Sequence, residues 1–357
     1  MKVAVTADVH IRKDRPERLE NFKNILKSLQ DSGITTLIVA GDLCDDEKDA
    51  PLQLDKAFRE YPGIQVMAIP GNHDHFLSGR LFSAANITVY EKPEVVSIGK
   101  CTFLFLPYHE GETMGGIIEK EGLQSSLDPG NWVLVSHGDY GRINREASGH
   151  EYGYFPLAGN DIELFRPARV ILGHIHVPGP VSETVVYAGS PWPLDINETG
   201  QRRLLVLDTA SAHLSPLPLV NTPVYSKIEC VLIPDGNESE QLQQQIKKAL
   251  KHEAGSYKGN NLLEKLVVRV QCTGYVTSRD TILDDIMNIL STSGIDKARV
   301  EKIDIDNLRV AESEEHLLLA EKVNQYIQSL QLSGDTEAVE ALKPEITTRA
   351  YRILFGN

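Results

Sequence analysis

Long apolar runs are absent from this chain of 357 residues. No stretch approaches the ~20 consecutive apolar residues that cross a bilayer as a helix, so a membrane span of that kind is excluded. Cysteine is scarce too. Cys44, Cys101, Cys230 and Cys272 are scattered without a CxxC pair, which argues against a thiolate zinc site and a disulfide framework and leaves buried free thiols. Positive charge is in deficit: 36 Lys and Arg face 50 Asp and Glu, a formal net charge of −14. A broad nucleic-acid-binding face needs clustered Lys and Arg to neutralise phosphates, so the composition argues against one. A local basic cleft and an acidic site filled with cations remain open. The opening MKVAVTADVH also lacks a basic segment followed by an apolar stretch and small residues, and a cytoplasmic protein is therefore expected.

What is present is the composition of a globular protein, 41% hydrophobic and 24% charged. The length exceeds what one core usually supports, so a large domain with at least one smaller companion is expected. One theme recurs through the first 210 or so residues: a short aliphatic or β-branched run followed by a polar turn. The runs are KVAVTADVH, TTLIVAGD, QVMAIPGN, TFLFLPY, WVLVSHG, RVILGHI, TVVYAGS and RRLLVLD. Helical stretches separate several of them, notably 16–31, with Leu19, Phe22, Ile25, Leu26 and Leu29 on one stripe. Such runs suit strands buried on both faces, which predicts an α/β sandwich over residues 1–222. NTPV at 221–224 is the predicted joint. Beyond it come SKIECVLI, a helix bearing Leu242, Ile246 and Leu250, then KLVVRVQC, a helix through Leu283, Ile286 and Leu290, and ARVEKIDI. Their β-α-β-α-β order predicts a small α+β domain over 223–310. Residues 311–357 are read as helical: an acidic helix with Leu317, Ala320, Val323, Ile327 and Leu330 along one side, a break at 333–335, and a last stretch carrying Ile346, Ala350, Ile353 and Leu354.

Five of the apolar runs end in His, Asp or Asn next to a small residue. These are Asp8 and His10 in ADVH, Asp42 in AGDL, Asn72 and His73 in PGNHD, His137 in SHG, and His174 and His176 in GHIH. The carboxyl ends of neighbouring strands in an α/β sandwich lie side by side, so residues far apart in sequence are expected to converge on one rim. Gly41, Gly71, Gly138 and Gly173 fit the tight strand-to-loop turns such a rim needs. Each motif alone is an ordinary turn; five at strand ends point to a cluster of ligands. The donors are imidazole, carboxylate and one amide oxygen without sulfur, a set suited to Mn²⁺, Fe or Zn²⁺ rather than to Ca²⁺ or a structural zinc. Two ions about 3.5–4 Å apart, bridged by one carboxylate, would clamp the attacking and leaving oxygens of an in-line displacement at phosphorus. Asp42 is the candidate bridge. A water held there would lose a proton near neutral pH and attack, and His73 would protonate the leaving oxygen. His174 and His176, two residues apart on an extended segment, would each serve one ion, with Ile175 facing inward.

The series D-x-H, G-D, G-N-H-D, H-G and G-H-x-H resembles the calcineurin-like metallophosphoesterases over roughly residues 3–210. The resemblance implies a metallophosphoesterase β-sandwich flanked by helices. It also implies one metal held by Asp8, His10, Asp42 and His176, a second held by Asp42, Asn72, His137 and His174, and His73 as the catalytic histidine. GHIH followed by VVYAGSPWPLDINETG, a small cap domain and C-terminal helices is similar to the SbcD-type family of DNA-repair nucleases. That likeness implies a Mn²⁺-dependent 3′–5′ exonuclease and endonuclease on DNA ends, a homodimer, and a partner of the SbcC type. Such a partner is an SMC-like coiled-coil ATPase, and residues 311–357 would bind it.

Other residues keep two readings. Asp74 either orients a ligand or His73, or forms the turn. Trp192, with Asp195 in GSPWPLD, either stacks on a base or is buried at the sandwich edge. Arg142 and Arg145 either meet phosphate or are merely solvated. His75, His109 and His150 are read as surface or supporting residues, with His109 the nearest to the rim. Two further functions compete: a phosphodiesterase for small or cyclic substrates, and a non-catalytic scaffold whose C-terminal helices recruit a partner. The scaffold reading sits poorly with all seven ligand positions being filled.

Overall fold

The computed structural model describes residues 1–46, 48–141, 153–234, 236–256, 262–311, 314–330 and residues 343, 346, 347, 349 and 350. Arg142, Arg145, His150, Ile353, Leu354 and the break at 333–335 lie outside them. The chain divides into two compact units, Met1–Leu194 with Gln201–Thr222, and Asp195–Gly200 with Pro223–Asn357.

The first unit holds two six-stranded sheets. In one, the order is β12 (His213–Pro218), β11 (Arg203–Asp208), β1 (Lys2–Thr6), β2 (Thr36–Ala40), β3 (Gln65–Ile69) and β4 (Ile87–Val89). In the other it is β5 (Glu94–Ile98), β6 (Cys101–Leu106), β7 (Trp132–His137), β8 (Arg169–Gly173), β10 (Val185–Tyr187) and β9 (Gly179–Pro180). Strands β1 to β4 are mutually parallel, as are β6, β7, β8 and β10. Val3, Val5 and Ile38 of the first sheet form one buried cluster with Phe103, Phe105, Val135 and Ile171 of the second. The opposite face of the first sheet packs on α1 (Pro16–Asp31) and α2 (Asp49–Glu60), and that of the second on α3 (Met114–Lys120) and α4 (Gly159–Phe165). Every inner strand is therefore sealed on both faces. Each fully buried aliphatic or aromatic side chain contributes about 1.5–3 kcal/mol by leaving water, so the platform beneath the strand ends is rigid.

All eight apolar runs are strands. The strands that the runs did not indicate, β4, β5, β9 and β12, are the four edges of the two sheets. Edge strands are short or half-solvated and lose the continuous apolar signature, and β12 also contains proline, which a central strand rejects.

In the second unit β13 (Val224–Leu232), β14 (Leu266–Val276) and β15 (Val300–Asp304) are parallel, and β16 (Leu308–Val310) adds to β14. Helices α5 (Glu238–Ser256) and α7 (Ile282–Thr292) cover one face through Leu242, Ile246, Ile286 and Leu290, and a short α6 (Leu262–Lys265) leads into β14. Leu283, read as inward, is exposed; Ile282 and Ile289 take the buried positions. Of the predicted stripe on α8 (Glu314–Ser329), Val323 packs against Tyr275 and Ile327 is buried; Leu318, Leu319 and Tyr326, outside that stripe, are exposed. Among the described residues no helix is long and apolar enough to cross a membrane.

Candidate metal centre

The rim lies where the parallel strands of both sheets end. Thr6 of β1 leads to Asp8 and His10, Ala40 of β2 to Asp42, and Ile69 of β3 to Asn72 and His73. His137 closes β7 and His174 follows β8. The sheets meet here through glycine. A Cβ on Gly173 would lie 2.1 Å from the Ala40 carbonyl oxygen, one on Gly41 would lie 2.2 Å from His137 Nδ1, and one on Gly71 would lie 2.2 Å from Asp42 Oδ1. Only hydrogen fits at those three positions.

Four of the seven candidate ligands have left-handed backbones, with φ of 52° at Asp8, 48° at His10, 54° at Asp42 and 92° at His174. Left-handed non-glycine residues are strained and gather at functional sites. The turns are pinned by backbone bonds from Asp8 N to Gly41 O at 3.0 Å and from His10 N to Asp42 O at 3.0 Å. A buried carboxylate adds to this. Asp74 accepts from the backbone N–H groups of Gly71 at 2.6 Å, Leu43 at 2.7 Å, Asp42 at 3.2 Å and Cys44 at 3.3 Å, which ties the Asp42 turn to the Asn72 turn. Burial and the Asp42 charge push Asp74 up to about 7 against those donors.

Three donor groups result; one joins His10 to Asp45 and His73, and the other two carry the expected ligands. Ligand atoms of Asp8, His10 and His176 lie within 4.8 Å of one another, as do those of Asp8, Asp42 and His137. Asp42 Oδ2 sits 3.6 Å from His10 Nε2 and 3.3 Å from His137 Nε2, so it reaches both sets as a bridge must. Asn72 Oδ1 is 2.8 Å from His137 Nε2 and 3.3 Å from His174 Nδ1, which completes the second set. The Asp8 carboxylate accepts the His174 backbone N–H at 3.0 Å.

Outer partners decide which ring nitrogen faces inward. His137 Nδ1–H donates to the Ala40 carbonyl at 2.9 Å, and His10 Nδ1–H donates to Asp45 at 2.5 Å. The Nε2 atoms are left pointing into the rim, and buried His10 Nε2 has no hydrogen-bond partner. Carbonyl and carboxylate partners of this kind fix the tautomer of metal-binding histidines. Lone pairs from His10, His137, Asp42 and Asn72 thus converge with nothing but a proton or a cation to reconcile them, and the residues present fit a pair of divalent ions. The charges agree with that. Burial raises Asp8, whereas His137 and His10 overcome burial to hold Asp42 well below the carboxylate range. Burial and the nearby His137 charge lower His174 to about 4, which leaves it neutral and ready to ligate.

His73 is exposed over 56% of its side chain; its backbone N–H donates to Asp42 Oδ1 at 2.9 Å and its Nδ1 lies 3.9 Å from Asp45. Asp45, between His10 and His73, was missed in the sequence, as was Asp139, whose Oδ1 lies 3.5 Å from His174 Nε2. Both are acids inside ligand-bearing turns, GDLCD and SHGD, and that is the signal they offered. One expectation is corrected, and one pair of alternatives is decided. Ile175 faces solvent at 40% exposure, because the left-handed His174 ends the extended geometry on which alternation depends. Trp192 is 3% exposed in the core beside α1 and α2, so its ring cannot stack on a base, and Asp195 falls in the second unit. Asp74 is more than a turn former, since its carboxylate fixes the backbone that carries Asp42. His75 is exposed, and His109 packs against Phe155 with ring centroids 5.8 Å apart.

Comparison with known families matches residues 1–178 to calcineurin-like phosphoesterase. No curated protein matches the chain. Solved structures similar to it include an archaeal phosphodiesterase, with 16% identity, 61% of this chain and 100% of that one covered, and a TM-score of 0.33. A dimetal phosphatase from Danio rerio shares 15% identity over 58% of this chain and 91% of its own, with a TM-score of 0.40. A nuclease from Pseudomonas putida shares 18% identity over 60% and 86%, with a TM-score of 0.28. Through residues 1–178, which carry every ligand-bearing turn described above, the chain belongs to the calcineurin-like phosphoesterase family.

Proposed function

We propose that this protein is a two-metal phosphodiesterase that cleaves DNA ends as the nuclease subunit of an SbcCD-type repair complex. The observation that carries the reading is the convergence of imidazole, carboxylate and amide donors on two adjacent positions, with Asp42 Oδ2 3.6 Å from His10 Nε2 and 3.3 Å from His137 Nε2. Divalent ions held there, Mn²⁺ by preference for this mixed nitrogen and oxygen set, supply charge stabilisation at phosphorus and an activated water. The chain's own residues do the rest. Asp8, His10, Asp42 and His176 hold one ion, and Asp42, Asn72, His137 and His174 the other. His73, exposed beside the rim and tied to Asp42 by its backbone, hands a proton to the leaving oxygen.

A DNA substrate is favoured by local charge. Residues 12–18 bring Arg12, Lys13, Arg15 and Arg18 next to His10, where they pair with Asp14, Glu17, Asp45 and Asp49, in a chain that is otherwise acidic. Arg18 donates to the His10 carbonyl at 2.8 Å, so this strip is anchored to the centre. Leu318, Leu319 and Tyr326, exposed on α8, offer apolar surface to a coiled-coil ATPase of the SbcC type. On the same likeness we assign the protein as a homodimer, and we assign it separately to the cytoplasm.

The test is Mn²⁺-dependent release of nucleotides from linear duplex DNA, with His73→Ala as the comparison. Loss of cleavage by about 10²–10⁴-fold, with ion binding and folding intact, is the expected result. Equal cleavage by the variant overturns the role of His73. Turnover of cyclic or model phosphodiesters without cleavage of any DNA replaces the nuclease assignment with the small-substrate one.

A further inference from the structure

Arg202 is fully buried and is one of the largest side chains with no solvent exposure, an expensive position for a permanent cation. Its Nη1 donates at 2.7 Å to the backbone carbonyl of His176. Ser190 donates to the same oxygen from its backbone N–H at 2.9 Å, while its hydroxyl, 3.3 Å from that oxygen, donates to the Trp192 carbonyl at 2.7 Å. One residue on, Arg203 Nη2 donates to the Pro178 carbonyl at 3.2 Å. The gripped segment has no regular structure: β8 ends at Gly173 and β9 begins at Gly179. Nothing in a strand ladder therefore fixes where His176 sits, although its ring must lie within ligand distance of Asp8 and His10.

From this we infer that Arg202 is a positioning residue for the metal centre, acting through the His176 backbone rather than on substrate. The inference rests on the two-ion reading above and adds a residue to it. A guanidinium presents its donors in a rigid fork, and a hydrogen bond from a charged donor is stronger than one from a neutral donor. Two donors on one carbonyl, the Arg202 guanidinium and the Ser190 backbone N–H, hold that peptide unit in a single orientation, and the imidazole follows it. The second ion position is built from Asp42, Asn72 and His137 at other strand ends and from His174, whose backbone N–H is held separately by the Asp8 carboxylate at 3.0 Å. The effect of losing the guanidinium is accordingly confined to the ion that His176 serves.

The experiment is Mn²⁺ titration calorimetry of the full chain, wild type against Arg202→Gln and Arg202→Lys, with hydrogen exchange of the metal-free proteins. Partners that orient a metal ligand typically contribute 10–100-fold to affinity. Arg202→Gln is expected to weaken the ion that His176 serves by about that factor and leave the other unchanged, with faster amide exchange confined to residues 175–177. Arg202→Lys, which keeps a cation on a shorter stem, is expected to recover part of the loss, and it serves as the measured variant if Arg202→Gln does not fold. Unchanged affinity for both ions overturns the inference, as does equal weakening of both with exchange raised throughout, which marks a purely structural arginine. A wild-type chain that binds fewer than two ions overturns the two-ion reading itself, and that result is separable because it precedes any variant.

Discussion

Manganese binding at neutral pH is expected to expel protons, and His137 sets the number. Its Nδ1–H is committed to the Ala40 carbonyl, so Nε2 looks out between Asn72 Oδ1 at 2.8 Å and Asp42 Oδ2 at 3.3 Å, both acceptors. A bare lone pair there would face two more. Burial disfavours the charged ring, but the Asp42 and Asp8 carboxylates outweigh it and raise His137 from 6.5 to about 9. The metal-free protein therefore carries that proton at pH 7, and a cation can occupy Nε2 only by displacing it. Two pH units below the midpoint, about 1% of the ring is available, so apparent affinity should fall roughly tenfold per unit from pH 9 downward. Stability of the metal-free fold follows the same proton. The contribution is fully present below pH 6.5 and disappears as pH rises through about 9. It amounts to roughly 3 kcal/mol. Saturating Mn²⁺ should flatten that decline. The assay is calorimetric titration at pH 7 in two buffers with different heats of ionisation. The difference is expected to report about one proton from His137, with a fraction from His10, whose pKa also lies above the ordinary value once its Asp45 hydrogen bond outweighs burial. Heats independent of buffer, or the same proton count in His137→Gln, would refute the reasoning.

Three further outcomes can be checked. Gly41→Ala places a Cβ 2.2 Å from His137 Nδ1 at a φ of 88°, so urea unfolding should show a loss of about 2 kcal/mol or more, and one Mn²⁺ equivalent should be missing from elemental analysis. Asp45→Ala removes the acceptor of His10 Nδ1 and should weaken the ion served by His10 by about 10–100-fold in titration, while the His137 side keeps its affinity. Asp55→Ala strips the acceptor from Ser83 N at 2.7 Å and Ala84 N at 2.8 Å; a stability loss of about 2–4 kcal/mol with normal ion binding is expected in urea melts.

Much of the centre could be read in advance because its parts are local. A strand buried on both faces spells itself as an apolar run, and the residue just past its end is known from the sequence alone. Parallel pairing then places Asp8, Asp42, Asn72, His137 and His174 together without further information. What could not be read depends on geometry made elsewhere. Asp45 and Asp139 become partners of histidines only once turns from different strands meet, and Arg202 reaches His176 from 26 residues away. The inward placement of Ile175 failed for a single torsion, the left-handed His174, which no spacing rule contains. The edge strands escaped because solvent on one side dilutes their pattern.

Left-handed turns at Asp8, His10, Asp42 and His174 have an evolutionary corollary. At each of these positions glycine is what the backbone prefers and a donor atom is what chemistry demands, so thermostability selection and hydrolytic selection pull in opposite directions on the same codons. A library screened for heat resistance alone should accumulate glycine there and drift toward inert folds. One screened for turnover should keep the strain.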